Sequence, residues 1–200
     1  MRISAARVGA ICLSSLIGQP TLANHPGDFA MAPLPERCGA SLAFVQTQLP
    51  ARNERAVFSQ GGWEPTTEAA RRRDWGKPPA RVGGRGAPQP PAELLNRMQR
   101  DGAINDAVEA CASIRAYLAR HRIKFGSAAT HALSRADENG KFKGTIVSIS
   151  LPVMTAKGDD AVVMSTEVSG ILMSDMLLNY LHRGPDGKWR LVSVAVYAVG

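Results

Sequence analysis

The sequence predicts an α+β domain in which N-terminal helices pack on a C-terminal antiparallel β-meander of about four strands. Three observations predict it. Apolar residues recur at helical spacing over 35–49 and 103–121. After Lys143 the period changes to two. The connections between the later segments are short, which suits antiparallel neighbours.

The first element is a leader. Arg2 and Arg7 precede an apolar stretch from Val8 to Ile17, and Thr21-Leu22-Ala23 ends in the small-residue order that a signal peptidase reads. Residues 1–23 are therefore expected to be a secretory signal peptide, with the mature chain starting at Asn24. The stretch is far shorter than the roughly 20 apolar residues of a spanning helix. No later segment is longer and apolar, so no transmembrane segment is expected after cleavage. Cys12 lacks the large-then-small residues that precede a lipoprotein cysteine. The expected destination is the periplasm or the exterior.

Residues 24–63 form an N-terminal segment with one helix. Pro35 suits its first turn and Pro50 stops it. Ala56-Val57-Phe58 could start a strand, and Gly61-Gly62 ends any element there. Residues 64–91 contain Pro65, Pro78, Pro79, Pro88, Pro90 and Pro91 among four glycines, and read as a linker or a surface loop. Residues 92–200 read as the helix plus β-meander domain. A helix starts at Ala92, with Leu94, Leu95 and Met98 on one face, and Asp101-Gly102 interrupts it. A second helix is expected over 103–121, with Asp106 and Glu109 near its start and Arg115, Arg120 and His121 near its end, the order that complements the helix dipole.

Four strands follow, at about 143–151, 160–168, 173–183 and 188–198. Lys157-Gly158-Asp159, Ser169-Gly170 and Pro185-Asp186-Gly187 mark the turns. Several strands are apolar on both faces, so both faces are expected to be partly covered, while the helices are expected to lie across one of them. Residues 122–142 add a fifth strand or a ragged loop.

Charge is unevenly placed. The formal net charge is +7. Arg2 and Arg7 would leave with the leader. Residues 64–91 hold six basic and three acidic residues, whereas the flanking parts are close to balance. Arg71, Arg72, Arg73, Lys77, Arg81 and Arg85, with Trp75 among them, form a basic patch. In an exported chain its natural partner is an anionic envelope component, or another envelope protein, and no nucleic acid is expected. The alternative is a solvated basic linker.

Cys38 and Cys111 are the two cysteines left in the mature chain. Cys38 shares a helical stripe with Leu42, Val45 and Leu49, and Cys111 shares one with Ile104, Val108, Ile114 and Leu118. An even count in an oxidising compartment predicts one disulfide. Two separate buried thiols are the alternative.

No motif carries a reaction. The P-loop, H-E-x-x-H, C-x-x-C, G-x-S-x-G and S-x-x-K patterns are absent. Neither a cofactor nor a metal site is expected. His131 has Ser127, Ser134 and Asp137 nearby, but nothing in the sequence holds them in register. His121 suits a helix end. His182 alternates with Tyr180 along the third strand, and on a concave face the two could line a pocket with Tyr117.

The stretch Ser169-Gly170, Leu177-Leu178-Asn179-Tyr180-Leu181-His182-Arg183, then Pro185-Asp186-Gly187-Lys188-Trp189 resembles the final hairpin of small exported bacterial proteins of unknown function that end in a β-meander. Helices followed by such a meander also resemble the nuclear transport factor 2-like and cystatin-like α+β folds. The resemblance covers residues 143–200. Enzymes of the first group hold an acid–base pair inside a conical pocket. No matching pair is found here, so the resemblance carries over no catalytic residue.

The function expected is that of an exported, non-enzymatic module that binds a ligand or an envelope component. The alternatives are an accessory or structural subunit of an envelope complex, and a small-molecule enzyme. The enzyme reading places an open polar cavity between the 103–121 helix and the sheet, using Tyr117, His182 or Asp175.

Overall fold

The computed structural model describes residues 32–48, 56–61, 86–101 and 106–199, with side chains omitted at 98–101 and 197–199. The expected leader, the Arg71–Arg85 patch and Ile104 lie outside the described residues. Helix α1 (Leu34–Gln48) begins where the Pro33 carbonyl accepts from the Glu36 and Arg37 amides. Its buried residues are Arg37, Cys38, Ala40, Ser41, Phe44 and Val45, which at this spacing form one face. Strand β1 (Ala56–Phe58) follows, then α2 (Ala92–Asp101).

The expected 103–121 helix is two helices, α3 (Ala107–Ala110) and α4 (Ala112–Arg120). Cys111 between them is extended, with φ −111° and ψ 103°. The Asp106 carboxylate caps α3 by accepting from the Glu109 amide at 2.9 Å. Arg115 donates to the Val108 carbonyl at 2.7 Å and to that of Glu109, so carbonyls freed at the break are satisfied. Through the break, Val108, Cys111, Ile114 and Leu118 all remain in the core.

Residues 122–142 add no fifth strand of their own and are not merely a loop: they hold a short helix, α5 (Ser127–Leu133), and a turn that leads into the meander at Lys141. Gly126, at φ 93°, precedes α5. None of the residues of α5 is buried, so no apolar period announces it in the sequence.

The meander is β2 (Lys141–Ile149), β4 (Asp160–Gly170), β5 (Met173–Arg183) and β6 (Trp189–Val199), each antiparallel to the next. Two further strands complete a six-stranded sheet. β3 (Val153–Met154) pairs with β4, and β1 lies parallel to β2, with Phe58 opposite Val147. The sheet is therefore mixed, in the order β1-β2-β4-β5-β6.

Both faces are covered, as the two-sided apolar strands imply. On one face α1, α3 and α4 pack Phe44, Val45, Val108, Ile114 and Leu118 against Phe58, Val147, Ile149, Val163 and Leu181. The other face carries α2, not solvent alone. Leu94 is fully buried among Val162, Met164, Leu178, Tyr180 and Ala195. The helices thus lie on both faces rather than on one. The residues leading into α2 follow the sheet, where the Ser193 hydroxyl donates to the Pro88 carbonyl at 3.0 Å.

Cys38 and Cys111 form a disulfide, with Sγ atoms 2.06 Å apart and Cα atoms 5.5 Å apart. It ties α1 to the α3–α4 junction, and both residues lie in the larger core. Inside the sheet, buried Asn179 donates through Nδ2 to the Val163 carbonyl at 3.1 Å and to Ser165 Oγ at 2.9 Å. A buried amide in a strand is stable only when so paired.

Candidate functional site

The polar groups gather at one end of the sheet, where β3 turns into β4 and β5 ends. The approach to that turn is pinned from both faces. Ser150 Oγ accepts from the Met164 amide at 2.9 Å, and the Ser150 carbonyl accepts from Ser41 of α1. Pro152 has no amide to give the ladder. Its carbonyl accepts from Nε of buried Arg37 at 3.1 Å, and the Met154 carbonyl accepts from buried Arg97 of α2. Burial holds the Arg37 guanidinium below its ordinary pKa. Two arginines from opposite sides of the sheet thereby fix the backbone at β3.

The turn at 155–158 then delivers Asp159 and Asp160. Thr155 Oγ1 donates to Asp159 Oδ1 at 2.9 Å, and this bond holds the Asp159 carboxyl below the usual carboxylate range. Asp160 pairs across the strands with His182, and Tyr180 stands two residues along on the same face. One oxygen, Asp160 Oδ1, receives the Tyr180 hydroxyl at 2.6 Å and lies 2.8 Å from His182 Nδ1. Burial first, and then the hydrogen bond to Asp160, raise the Tyr180 pKa above its ordinary value. His182 is half exposed, whereas Asp160 is largely covered.

The sequence-predicted trio is not brought together. Tyr180 and His182 share the α2 side of the sheet, as their alternation requires. Tyr117 of α4 packs against the core on the opposite side and lies against His121, with ring centroids 4.3 Å apart. The expected cavity between that helix and the sheet is filled by Ile114, Leu118, Phe58 and Leu151, all buried. The pocket drawn from Tyr117, Tyr180 and His182 is therefore corrected to an Asp160–Tyr180–His182 cluster. Asp175, the other residue of the enzyme reading, sits opposite Glu167 toward the far end of β4 and β5. His131 is exposed on α5. Ser134 Oγ donates to the His131 carbonyl, and Asp137 Oδ1 accepts from the Asn139 and Lys141 amides, so these groups serve local backbone.

Asp160 escaped the sequence reading. Its signal was the hairpin register, because a two-residue loop at 171–172, together with a one-residue shift between Val168 and Gly170, sets Asp160 opposite His182. The turn assigned to Ser169-Gly170 displaces that register. Gly170 is the last residue of β4, pairs with Met173 after a register shift, and leaves Ile171 and Leu172 as the loop.

At this opposite end of the sheet the tip of the β4–β5 hairpin is apolar. Ile171 is 69 % exposed, Leu172 84 % and Met173 38 %. Val194 and Val196 of β6, an outer strand of the sheet order, are also exposed. Among the described residues, no helix is long and apolar enough to cross a membrane, and no cluster of metal-ligating side chains is found.

No protein-family model matches the chain, and no curated protein or solved structure matches it either. The likeness of residues 143–200 to known meander folds rests on the sequence pattern alone.

Proposed function

We propose that this chain is an exported, non-enzymatic binding module that acts in the periplasm or outside the cell on an envelope component. The observation that carries the reading is the Cys38–Cys111 disulfide. Such bonds form and persist in oxidising compartments and are rare where thiols are kept reduced. The leader pattern of residues 1–23 agrees with it. The basic residues Arg71, Arg72, Arg73, Lys77, Arg81 and Arg85 add a stretch suited to an anionic envelope component.

The test is a denaturing mass spectrum of protein recovered, without reductant, from an exporting bacterial host. The expected mass starts at Asn24 and lies about two daltons below the two-thiol value, because S–S formation removes two hydrogens. A mass starting at Met1 with both thiols free overturns the reading. Deleting residues 64–91 is expected to weaken binding to anionic envelope material, and unchanged binding removes that segment from the proposal.

A second reading, an accessory subunit of an envelope complex, is favoured by exposed Val194 and Val196 on β6. An outer strand can accept a partner strand. A complex that survives purification and loses its partner on Val196→Lys supports this reading.

A further inference from the structure

We infer that the β4–β5 hairpin tip, Ile171-Leu172-Met173, is a finger that docks the domain on a lipid bilayer surface. The inference deepens the envelope-binding reading by naming a surface and its partner, and it rests on that reading for its setting.

The first observation is exposure. Three large aliphatic side chains stand together at a loop tip, and Leu172 is the most exposed of them, at 84 %. The second is turn chemistry. Neither loop residue has a positive φ, so the backbone does not demand Gly or Asn, but a loop tip faces water and favours polar residues. Here both loop positions are branched aliphatics. The next hairpin of the same sheet carries Pro185-Asp186-Gly187, so the fold elsewhere uses ordinary turn residues. The core does not need the tip, since neither Ile171 nor Leu172 belongs to either cluster of packed apolar residues. A local rule broken without a packing gain points to function.

The size of the patch selects the partner. Three side chains offer on the order of a few hundred Å². A stable protein interface buries about 1,200–2,000 Å² with matched shape. A bilayer needs no shape match, and each inserted aliphatic group contributes by its own transfer from water. The flanks suit the headgroup level. Lys141 lies opposite Gly170 across the strands, Lys143 follows two residues along, and both are exposed. The Gly140 carbonyl accepts from the Ile171 amide at 2.9 Å, which holds the tip against this lysine-bearing strand. Asp137, Glu138 and Asp175 are exposed near the tip as well, so local charge is close to balance and the apolar side chains supply the attraction. Without Arg2 and Arg7 the net charge of +7 falls to +5, which still favours the approach to an anionic surface.

The experiment is co-sedimentation of the recovered chain with vesicles of phosphatidylethanolamine and phosphatidylglycerol. Wild type is compared with the double variant Ile171→Ser/Leu172→Ser, and with Leu172→Gln alone should the double variant fail to fold. The expected result is binding by wild type and a loss of at least about tenfold in partition for the double variant, with a smaller loss for the single one. Wild-type protein that stays in solution overturns the inference, as does a variant that sediments equally well. A wild-type dimer without vesicle binding, dissolved by the same substitutions, also overturns it and makes the tip a protein interface. All chains compared share one N-terminus. A chain starting at Met1 that still loses binding through the tip substitutions therefore supports the finger while refuting export.

Discussion

Replacing Cys38 and Cys111 by alanine, singly and together, separates a working disulfide from two packed sulfurs. The bond joins residues 73 apart in sequence. In the chain-entropy treatment, a closed loop of that length restricts the unfolded chain by about 4 kcal/mol at 25 °C. The loop includes β1, α2 and α3, so it spans an outer strand and helices from both faces of the sheet. Each Cys→Ala change also removes one buried sulfur, a packing loss on the order of 1 kcal/mol. With the bond formed, either single variant should lose about 4–5 kcal/mol, and the double variant little more, because the bond can be lost only once. Urea unfolding of the four proteins, with and without reductant, reads this directly. Heating should show a fall in Tm of about 8–20 °C for either single variant. Wild type under reductant should approach the variants. Small losses that add in the double variant, with no effect of reductant on wild type, would refute the reasoning. The sulfurs would then act only as small apolar groups.

Three further outcomes follow from the packing. Asn179→Leu should destabilise the protein by about 1–3 kcal/mol in urea unfolding, because Ser165 Oγ and the Val163 carbonyl lose their donor in a buried strand. Gly170→Ala should cost a similar amount, since a Cβ there would lie 2.7 Å from the Gly140 carbonyl oxygen and strain the base of the hairpin; an unchanged unfolding midpoint would show that the strands part freely. Asp160→Asn should lower the pH at which Tyr180 ionises, measured by ultraviolet difference titration, because part of the upward shift comes from Asp160. The sign follows from the raised folded-state pKa: the stability linked to Tyr180 is fully present below its unfolded pKa of about 10 and is lost as pH rises beyond it, so Asp160→Asn should flatten the alkaline fall in stability.

The polar cluster shows where sequence reasoning stopped. Tyr180 and His182 were legible as neighbours because alternate residues of a strand share a face. Tyr117 was drawn to them by residue type alone, and its helix lies across the opposite face. Asp160 is 22 residues from His182, and only the hairpin register brings their side chains to 2.8 Å. That register depends on a loop of two aliphatic residues, which carries no turn signal of its own, and on a one-residue shift between Val168 and Gly170. The break at Cys111 was hidden for a related reason. The apolar stripe continues through it, and the groups that satisfy the break come from Arg115 and Asp106, which read in the sequence as helix-end charges.

What the sequence determined by itself is what local periodicity and turn chemistry encode. It includes the α+β class, the α1 helix, the meander with its Pro185-Asp186-Gly187 turn, and the pairing of two cysteines that each lie on an apolar stripe. Tertiary structure alone decided the rest. It placed α2 on the face opposite α1, set β1 parallel to β2, and turned an uncovered stretch of chain into α5. The physical reason is that an apolar stripe states that a face must be buried but not against which partner. Contacts between segments distant in sequence choose among partners of equal local merit.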